Sequence, residues 1–379
     1  MRIAFLCKQK YTGKDVVADR FGRMHEIPWQ LARLGHEVQG FCLDYHRQGQ
    51  NDVSYEVAPG SFSWRARSLG YLRLPGATAY SWQVLRYLKN NRPDVIIGAS
   101  DIPHVVLAAW LSKRLGVPYA LDLYDNFEGF GQAHIPGAVM ALQRAVRSAG
   151  LVITVSSPLQ KLVQIKYGAR GQVLVMPNAI DKNIFKASDR LAARRRLQLP
   201  LDAELVGTAG GLYRSKGITT LYKAWSHIAA LRPQARLVLA GPQEAGLPVP
   251  KHDRVHYLGN LSHAQVADVF NALDVGVVTV ADSTFGRYCF PQKAYEMLAC
   301  GLAIVASDVG VMSDVLGDSP KLRYPSEDAV GLAQAVIQQL QAPIRLPLEI
   351  KDWKTLVEGV EPALCGLQPC HPRQCSGCG

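Results

Sequence analysis

Phe290-Pro291-Gln292-Lys293-Ala294-Tyr295-Glu296-Met297-Leu298-Ala299-Cys300-Gly301 runs directly into Leu302-Ala303-Ile304-Val305-Ala306-Ser307. The first part reads as a helix over 291–299. Pro291 suits the first turn, where its missing N–H is not needed. Lys293 and Glu296 are three apart and share a face, while Tyr295, Leu298 and Ala299 can pack. The second part is an apolar, β-branched run, a strand over 303–306. A helix delivering the chain straight into a buried strand is half of a βαβ unit.

The same alternation extends outward. In the C-terminal part, strands are expected at 204–208, 235–240, 255–258 and 275–280, with helices at 218–230 and 262–273. In the N-terminal part, strands are expected at 2–7, 36–43, 94–99, 118–123, 151–155 and 172–176. Helices fall between them at 21–34, 103–115, 137–148 and 158–167. Strands separated by helical segments imply parallel sheets. Pro177-Asn178-Ala179-Ile180-Asp181 lies between the two series, a turn-rich hinge. The expected fold class is α/β: two Rossmann-like, doubly wound domains facing across a cleft. The expected boundaries are 1–180, 181–345, and 346–379 for a final helix and Cys-rich tail. A chain of 379 residues is longer than one hydrophobic core usually serves.

Composition narrows the classes. The chain is 48% hydrophobic and 19% charged, which is ordinary globular usage. Its longest unbroken apolar run is 105–111, far short of the roughly 18 residues of a membrane span. The apolar stretch near Met1 is too short for a signal peptide, so a cytoplasmic protein is expected. The net charge of +11 is concentrated before Lys186. That asymmetry suggests an anionic partner for the first domain, with plain solvated surface as the alternative. Arg65, Arg67, Arg86, Lys89 and Arg92, with Trp64 and Trp82, are the residues expected to meet an anionic membrane surface. Nucleic acid is not expected, because the basic residues scatter and aromatic platforms are not interleaved among them. Cys7, Cys42, Cys289 and Cys300 read as buried thiols. Cys365, Cys370, Cys375 and Cys378, with His371, crowd the end without a second pair set across a knuckle, and no metal is expected there.

Chemistry is excluded by missing motifs. There is no Walker loop, no nucleophile elbow and no Asp-x-Asp; Gly129-Phe130-Gly131 is only a fragment of a dinucleotide fingerprint. What remains is Thr208-Ala209-Gly210-Gly211-Leu212-Tyr213-Arg214-Ser215-Lys216-Gly217-Ile218, between a strand and a helix. Its glycines let backbone N–H groups approach a phosphate, and Lys216 can neutralise it. The carboxylate of Glu296 can accept two ribose hydroxyl protons. Together the two stretches suit a nucleoside diphosphate; a surface Lys293–Glu296 pair is the plain alternative.

At these residues the chain resembles the retaining glycosyltransferases of family 4, of the bacterial lipopolysaccharide and surface-polysaccharide type, which have the GT-B fold. The resemblance includes Leu31-Ala32-Arg33-Leu34-Gly35-His36-Glu37-Val38, Pro93-Asp94-Val95-Ile96-Ile97, Pro177-Asn178-Ala179-Ile180-Asp181, Lys216-Gly217 and Glu296 to Gly301. It implies that Glu296 holds the donor ribose and Lys216 the diphosphate. It also implies that the last helix, 352–364, crosses back to the first domain. The catalytic set expected on this basis is Lys216, Arg214 and Asp125. Donor binding is assigned to Glu296, Lys293, Gly210, Gly211, Arg287, Phe290 and Pro291, and acceptor binding to Gly13, Lys14, Tyr124 and Glu128. The partners are then a nucleotide-sugar donor and a glycan or glycolipid acceptor, with no covalent nucleophile, metal or cofactor.

The chain departs from the family pattern at three places. Tyr288 stands where a first glutamate is common, Gly211 where an arginine is usual, and Tyr124 where many members have histidine. Asp122, Asp125 and Glu128 therefore keep a nucleotide-sugar 2-epimerase of the same fold as an alternative. A non-catalytic nucleotide-sugar binder is the other.

Overall fold

The computed structural model describes residues 1–11, 13–45, 51–70, 73–317, 319–347 and 349–368. The chain divides into two units. The first takes in Met1–Asn178 and resumes at Trp353; the second is Ala179–Asp352.

In the first unit the strands are β1 (Arg2–Lys8), β2 (Lys10–Tyr11), β3 (Lys14–Asp15), β4 (Glu37–Asp44), β5 (Asn51–Glu56), β6 (Ser61–Ser68), β7 (Val95–Ala99), β8 (Tyr119–Leu123), β9 (Leu151–Thr154) and β10 (Gln172–Val175). The helices are α1 (Arg23–Arg33), α2 (Arg73–Asn90), α3 (Ile102–Leu115), α4 (Ala138–Ser148) and α5 (Ser157–Ile165). The main sheet runs β10-β9-β8-β7-β1-β4-β6-β5, and only its β5–β6 edge pair is antiparallel. Strands β7 and β8 are buried along their whole length, as expected of parallel strands covered on both faces. From β1 the order runs one way to β4 and the other way to β7. The crevice where such an order reverses opens at the carboxyl ends of β1 and β7, at Lys8 and Ser100.

The second unit has β11 (Glu204–Ala209), β12 (Ala235–Ala240), β13 (Val255–Tyr257), β14 (Val275–Val278), β15 (Ala303–Ser307) and β16 (Arg323–Tyr324). Its helices are α6 (Arg190–Arg196), α7 (Ile218–Leu231), α8 (His263–Ala272), α9 (Gln292–Ala299), α10 (Met312–Leu316) and α11 (Ala329–Gln341). The sheet is wholly parallel in the order β13-β12-β11-β14-β15-β16. Its order reverses between β11 and β14, so the crevice lies at Gly210 and Thr279. One apolar layer packs α7 and α11 on the sheet around Trp225, Ile228 and Val336; the other packs α8 and α9 around Phe270, Met297 and Leu298. Helix α12 (Trp353–Cys365) belongs to the first unit and packs on α1.

The expected elements are present within one or two residues; among those not expected are α6, α10, α11 and β16 in the second unit and, in the first, β5, β6 and α2 between 51 and 90. There Phe62, Trp64 and Ala66 face the core in alternation, each at most 1% exposed. That pattern of period two is a strand, β6, with its basic residues on the other face. Trp64 is therefore not a membrane contact, which corrects that expectation. Arg65 and Arg67 both pair with Asp52 of β5, so they do not extend the cluster of Arg86, Lys89 and Arg92 as a free patch. Cys7 and Cys42 are buried neighbours on β1 and β4, their sulfurs 3.6 Å apart. Cys370, His371, Cys375 and Cys378 lie outside the described residues.

Candidate functional site

The second unit carries the glycine turn. β11 ends at Ala209, and the chain turns through Gly210 at φ +110°, a conformation open to glycine and costly for other residues. Gly241, at the end of β12, is needed for contact: a Cβ there would sit 2.1 Å from the Gly210 carbonyl oxygen. The turn winds once through Arg214–Lys216 and enters α7 at Gly217, whose N-terminus has no side-chain cap. Its first N–H groups are thus without a side-chain acceptor at the end of the helix that favours anions.

α9 closes the crevice from the other side. Lys293 reaches across to β11, where its Nζ lies 3.0 Å from Thr208 Oγ1, and its Cε packs beneath Gly210. Glu296, one turn on, accepts from the Gln292 amide at 3.2 Å, and that amide also reaches the Ala179 carbonyl at 3.4 Å. Burial pushes the Glu296 carboxyl up to about 7, against the Gln292 hydrogen bond and the Lys293 charge. Burial, reinforced by the charge of Lys216, brings Lys293 down to about 8, with Glu296 opposing. Two opposite charges are held partly desolvated in a crevice. Lys216 lies over the Phe285 ring at 3.9 Å. The structure thus brings Lys216, Lys293, Glu296, Gly210 and Gly211 together. Pro291 caps α9 rather than entering it, and Phe290 packs on Tyr295 at 4.5 Å.

The two arginines are placed differently. Arg214 is exposed and engaged by Glu244, which accepts its backbone N–H at 2.6 Å and lies 3.6 Å from its guanidinium. Arg287 is exposed and paired with Asp282.

In the first unit, the switch point assembles a second polar cluster. The N–H of Lys8 donates to Ser100 Oγ at 2.8 Å, and Ser100 holds φ +79°, unusual for a residue with a Cβ. Asp101 caps α3 with its Oδ1, which also takes the His104 Nδ1 proton at 2.6 Å; its Oδ2 accepts from Tyr45 at 2.9 Å. Burial opposes ionisation of Asp101, yet the His104 contacts outweigh it and hold the carboxyl below its ordinary range. His104 is buried and its Nε2 has no partner. The Lys8 ammonium donates to the Tyr124 hydroxyl at 3.1 Å and lies over the Phe130 ring. Burial lowers its pKa, and the charges of Asp101 and Asp125 oppose the shift. Tyr11, beside the turn of Gly13 and Lys14, meets Tyr124 edge-on at 4.9 Å.

Glu128 is instead paired with Lys166 at 2.6 Å and accepts from Gln143. Asp122 has no exposed surface and is bound on both oxygens by Arg23, so it holds no proton-transfer role and the epimerase alternative loses its deepest carboxylate. Lys8, Ser100, Asp101, Tyr45, His104 and Gln292 were not anticipated from the sequence. Only strand order shows that the ends of β1 and β7 adjoin.

Both halves of the chain match known domain families. Residues 23–179 match the glycosyl transferase 4-like domain, and residues 203–342 match the glycosyl transferases group 1 domain. The putative teichuronic acid biosynthesis glycosyltransferase TuaC of Bacillus subtilis is 29% identical over 304 residues, 79% of this chain and 72% of that protein. A D-inositol 3-phosphate glycosyltransferase of Catenulispora acidiphila is 29% identical over 364 residues, 85% of this chain and 81% of that one. Among solved structures, Anabaena HepE in complex with UDP superposes with a TM-score of 0.69 at 20% identity, covering 97% of this chain and 100% of that one. Sucrose-phosphate synthase from Thermosynechococcus elongatus gives 0.65, also at 20% identity, over 97% and 95%. At that identity the likeness is one of fold. With both halves matched in order and two doubly wound units of the GT-B type, the chain belongs to the glycosyltransferases that join a glycosyl transferase 4-like domain to a group 1 domain.

Proposed function

We propose that this glycosyltransferase moves a sugar from a nucleoside-diphosphate donor to a glycan or glycolipid acceptor, with retention at the anomeric carbon, in bacterial surface-polysaccharide or lipopolysaccharide assembly. The observation that carries the reading is Lys293 beneath the Gly210 turn, with the buried Glu296 one turn further along α9, at the switch point of the second sheet. Glu296 would receive the ribose hydroxyls, and the turn, Lys216 and the α7 N-terminus the diphosphate. As the glycosidic bond breaks, the sugar gains oxocarbenium character and the diphosphate gains charge. Lys216 and Lys293 are preorganised for that charge, and Arg214 becomes available on leaving Glu244. One such donor is worth roughly 10²–10³ in rate. Positive side chains take the role a divalent ion would otherwise have, so no metal or cofactor is required for the transfer. A donor phosphate oxygen can assist the acceptor in losing its proton.

The cluster around Lys8, Asp101, Tyr124 and Asp125 would hold acceptor hydroxyls, with Gly13 and Lys14 at its margin. TuaC, named for teichuronic acid biosynthesis, favours the polysaccharide reading over the epimerase and the non-catalytic binder. No helix of the described residues is long and apolar enough to cross a membrane. Contact at the cytoplasmic face of an anionic membrane would fall to α2, where Trp82 is 56% exposed and Arg86 and Lys89 are exposed. Thermal shift against a panel of nucleotide sugars, then transfer with the stabilising donor and proton NMR of the product, tests the whole reading. Retained anomeric configuration is expected; inversion, or release of an epimerised donor, would sink it.

A further inference from the structure

The first unit holds three metal-competent donors far in sequence from the residues assigned to transfer. His36 follows α1 at the start of β4, and Glu361 and Cys365 are four apart on α12, so they share one face. His36 Nε2 lies 3.0 Å from Glu361 Oε1, and the Cys365 thiol donates to the same oxygen at 2.9 Å. All three donor atoms lie within 4.8 Å of one another. A tetrahedral zinc ion with bonds of about 2.0–2.3 Å has donors about 3.3–3.8 Å apart, so small side-chain shifts would complete such a shell. On its other side, His36 Nδ1 faces the Met1 amino group at 3.2 Å, which orients the ring and leaves Nε2 toward Glu361.

We propose that His36, Glu361 and Cys365 bind a thiophilic divalent cation of the zinc class, which fastens α12 to the body of the first unit. An imidazole, a carboxylate and a thiolate are a donor set for that ion, with the fourth position open to water. Without the ion, one carboxylate oxygen serves both neighbours. Binding replaces the S–H bond by a metal–sulfur bond and releases one proton to solvent. The thiol proton is the one whose release the titration follows. The ion would be structural, with no part in sugar transfer. Cys370, His371, Cys375 and Cys378 follow in the sequence and are a second source of thiol and imidazole. The test must therefore separate them.

Cobalt(II) is titrated into the reduced, metal-stripped full chain, following the thiolate-to-cobalt charge-transfer band, proton release and the zinc-induced rise in Tm. The same titration is run on C365S, H36Q and a C370S/C375S/C378S variant, with circular dichroism to establish folding. The wild type is expected to show the band together with release of the thiol proton. C365S should lose the band, and H36Q should weaken binding by at least about tenfold, one imidazole ligand being lost. The tail variant should keep the band; a band lost in both the tail variant and C365S still places Cys365 in the shell, with a tail thiol as fourth donor. A band untouched by C365S assigns the ion to the tail alone and overturns the proposal, as does a wild type that shows no band at saturating cobalt.

Discussion

Glu296 and Lys293 are poised to change charge near neutrality, and in opposite directions. Glu296 must be ionised to accept ribose hydroxyls, so donor affinity should rise as pH passes about 7. Lys293 must stay protonated to face phosphate, so affinity should fall again above about 8. A bell-shaped profile of kcat/KM for the donor, highest between those values, is the expected outcome. In Glu296→Gln the acidic limb should disappear. Stability moves the other way. From pH 4.5 to about 7 the folded chain retains a Glu296 proton that the unfolded chain has lost, so this group's contribution falls as pH rises. The free Glu296→Gln variant should therefore melt higher than wild type near pH 7.5, by roughly 1–3 °C, and at the same temperature below pH 4.5. A variant that loses both turnover and Tm at neutral pH would mean the carboxylate serves packing.

Lys8 belongs to the same scale and the other unit. Its ammonium is partly desolvated between Tyr124 and Phe130, with Asp101 and Asp125 as its charge partners. Lys8→Met should lower kcat/KM for the acceptor by at least about tenfold, the worth of one charge-assisted hydrogen bond, with donor Kd unchanged. Equal losses for both substrates would place Lys8 outside the acceptor site.

At the scale of elements, the buried pair of Arg23 and Asp122 joins α1 to β8. The guanidinium holds both Asp122 oxygens at 2.9 Å or less and also donates to the Met176 carbonyl at 2.7 Å. With both side chains wholly buried, Arg23→Met leaves an unpaired charge and should cost about 3–5 kcal/mol, a fall in Tm on the order of 10 °C. Adding Asp122→Asn should recover part of that loss; urea melts of the two variants measure it. The sequence made most of the parallel strands legible, because they are apolar runs closed by Pro, Gly or a charge, but not β16, nor the helices α6 and α11. It concealed β6, because Trp64-Arg65-Ala66-Arg67 alternates a buried and a basic face and so looks like a charge cluster. The Gly210 turn was legible as a local motif, Gly210 to Ile218 with Lys216. The grouping of Lys8, Tyr45 and Asp101 around the anticipated Tyr124 was not, since it forms only once the strand order places β1 beside β7.

For the whole molecule, each unit repeats one rule: the sheet order reverses at a point, and polar side chains gather at the strand ends beside it. In the second unit that place holds a glycine turn, an uncapped helix start, two lysines and a carboxylate. In the first it holds a lysine, a helix-capping aspartate and three aromatic rings. On the proposed reading, the second of these units binds a nucleoside diphosphate through Glu296 and the Gly210 turn. Isothermal titration of UDP, GDP and ADP into wild type and Glu296→Ala near pH 7.5 tests it most directly. One nucleotide should bind at one per chain, and Glu296→Ala should weaken it by about ten- to a hundredfold, the loss of one or two charge-assisted hydrogen bonds. Binding unchanged in Glu296→Ala, or no binding of any of the three, would contradict the account.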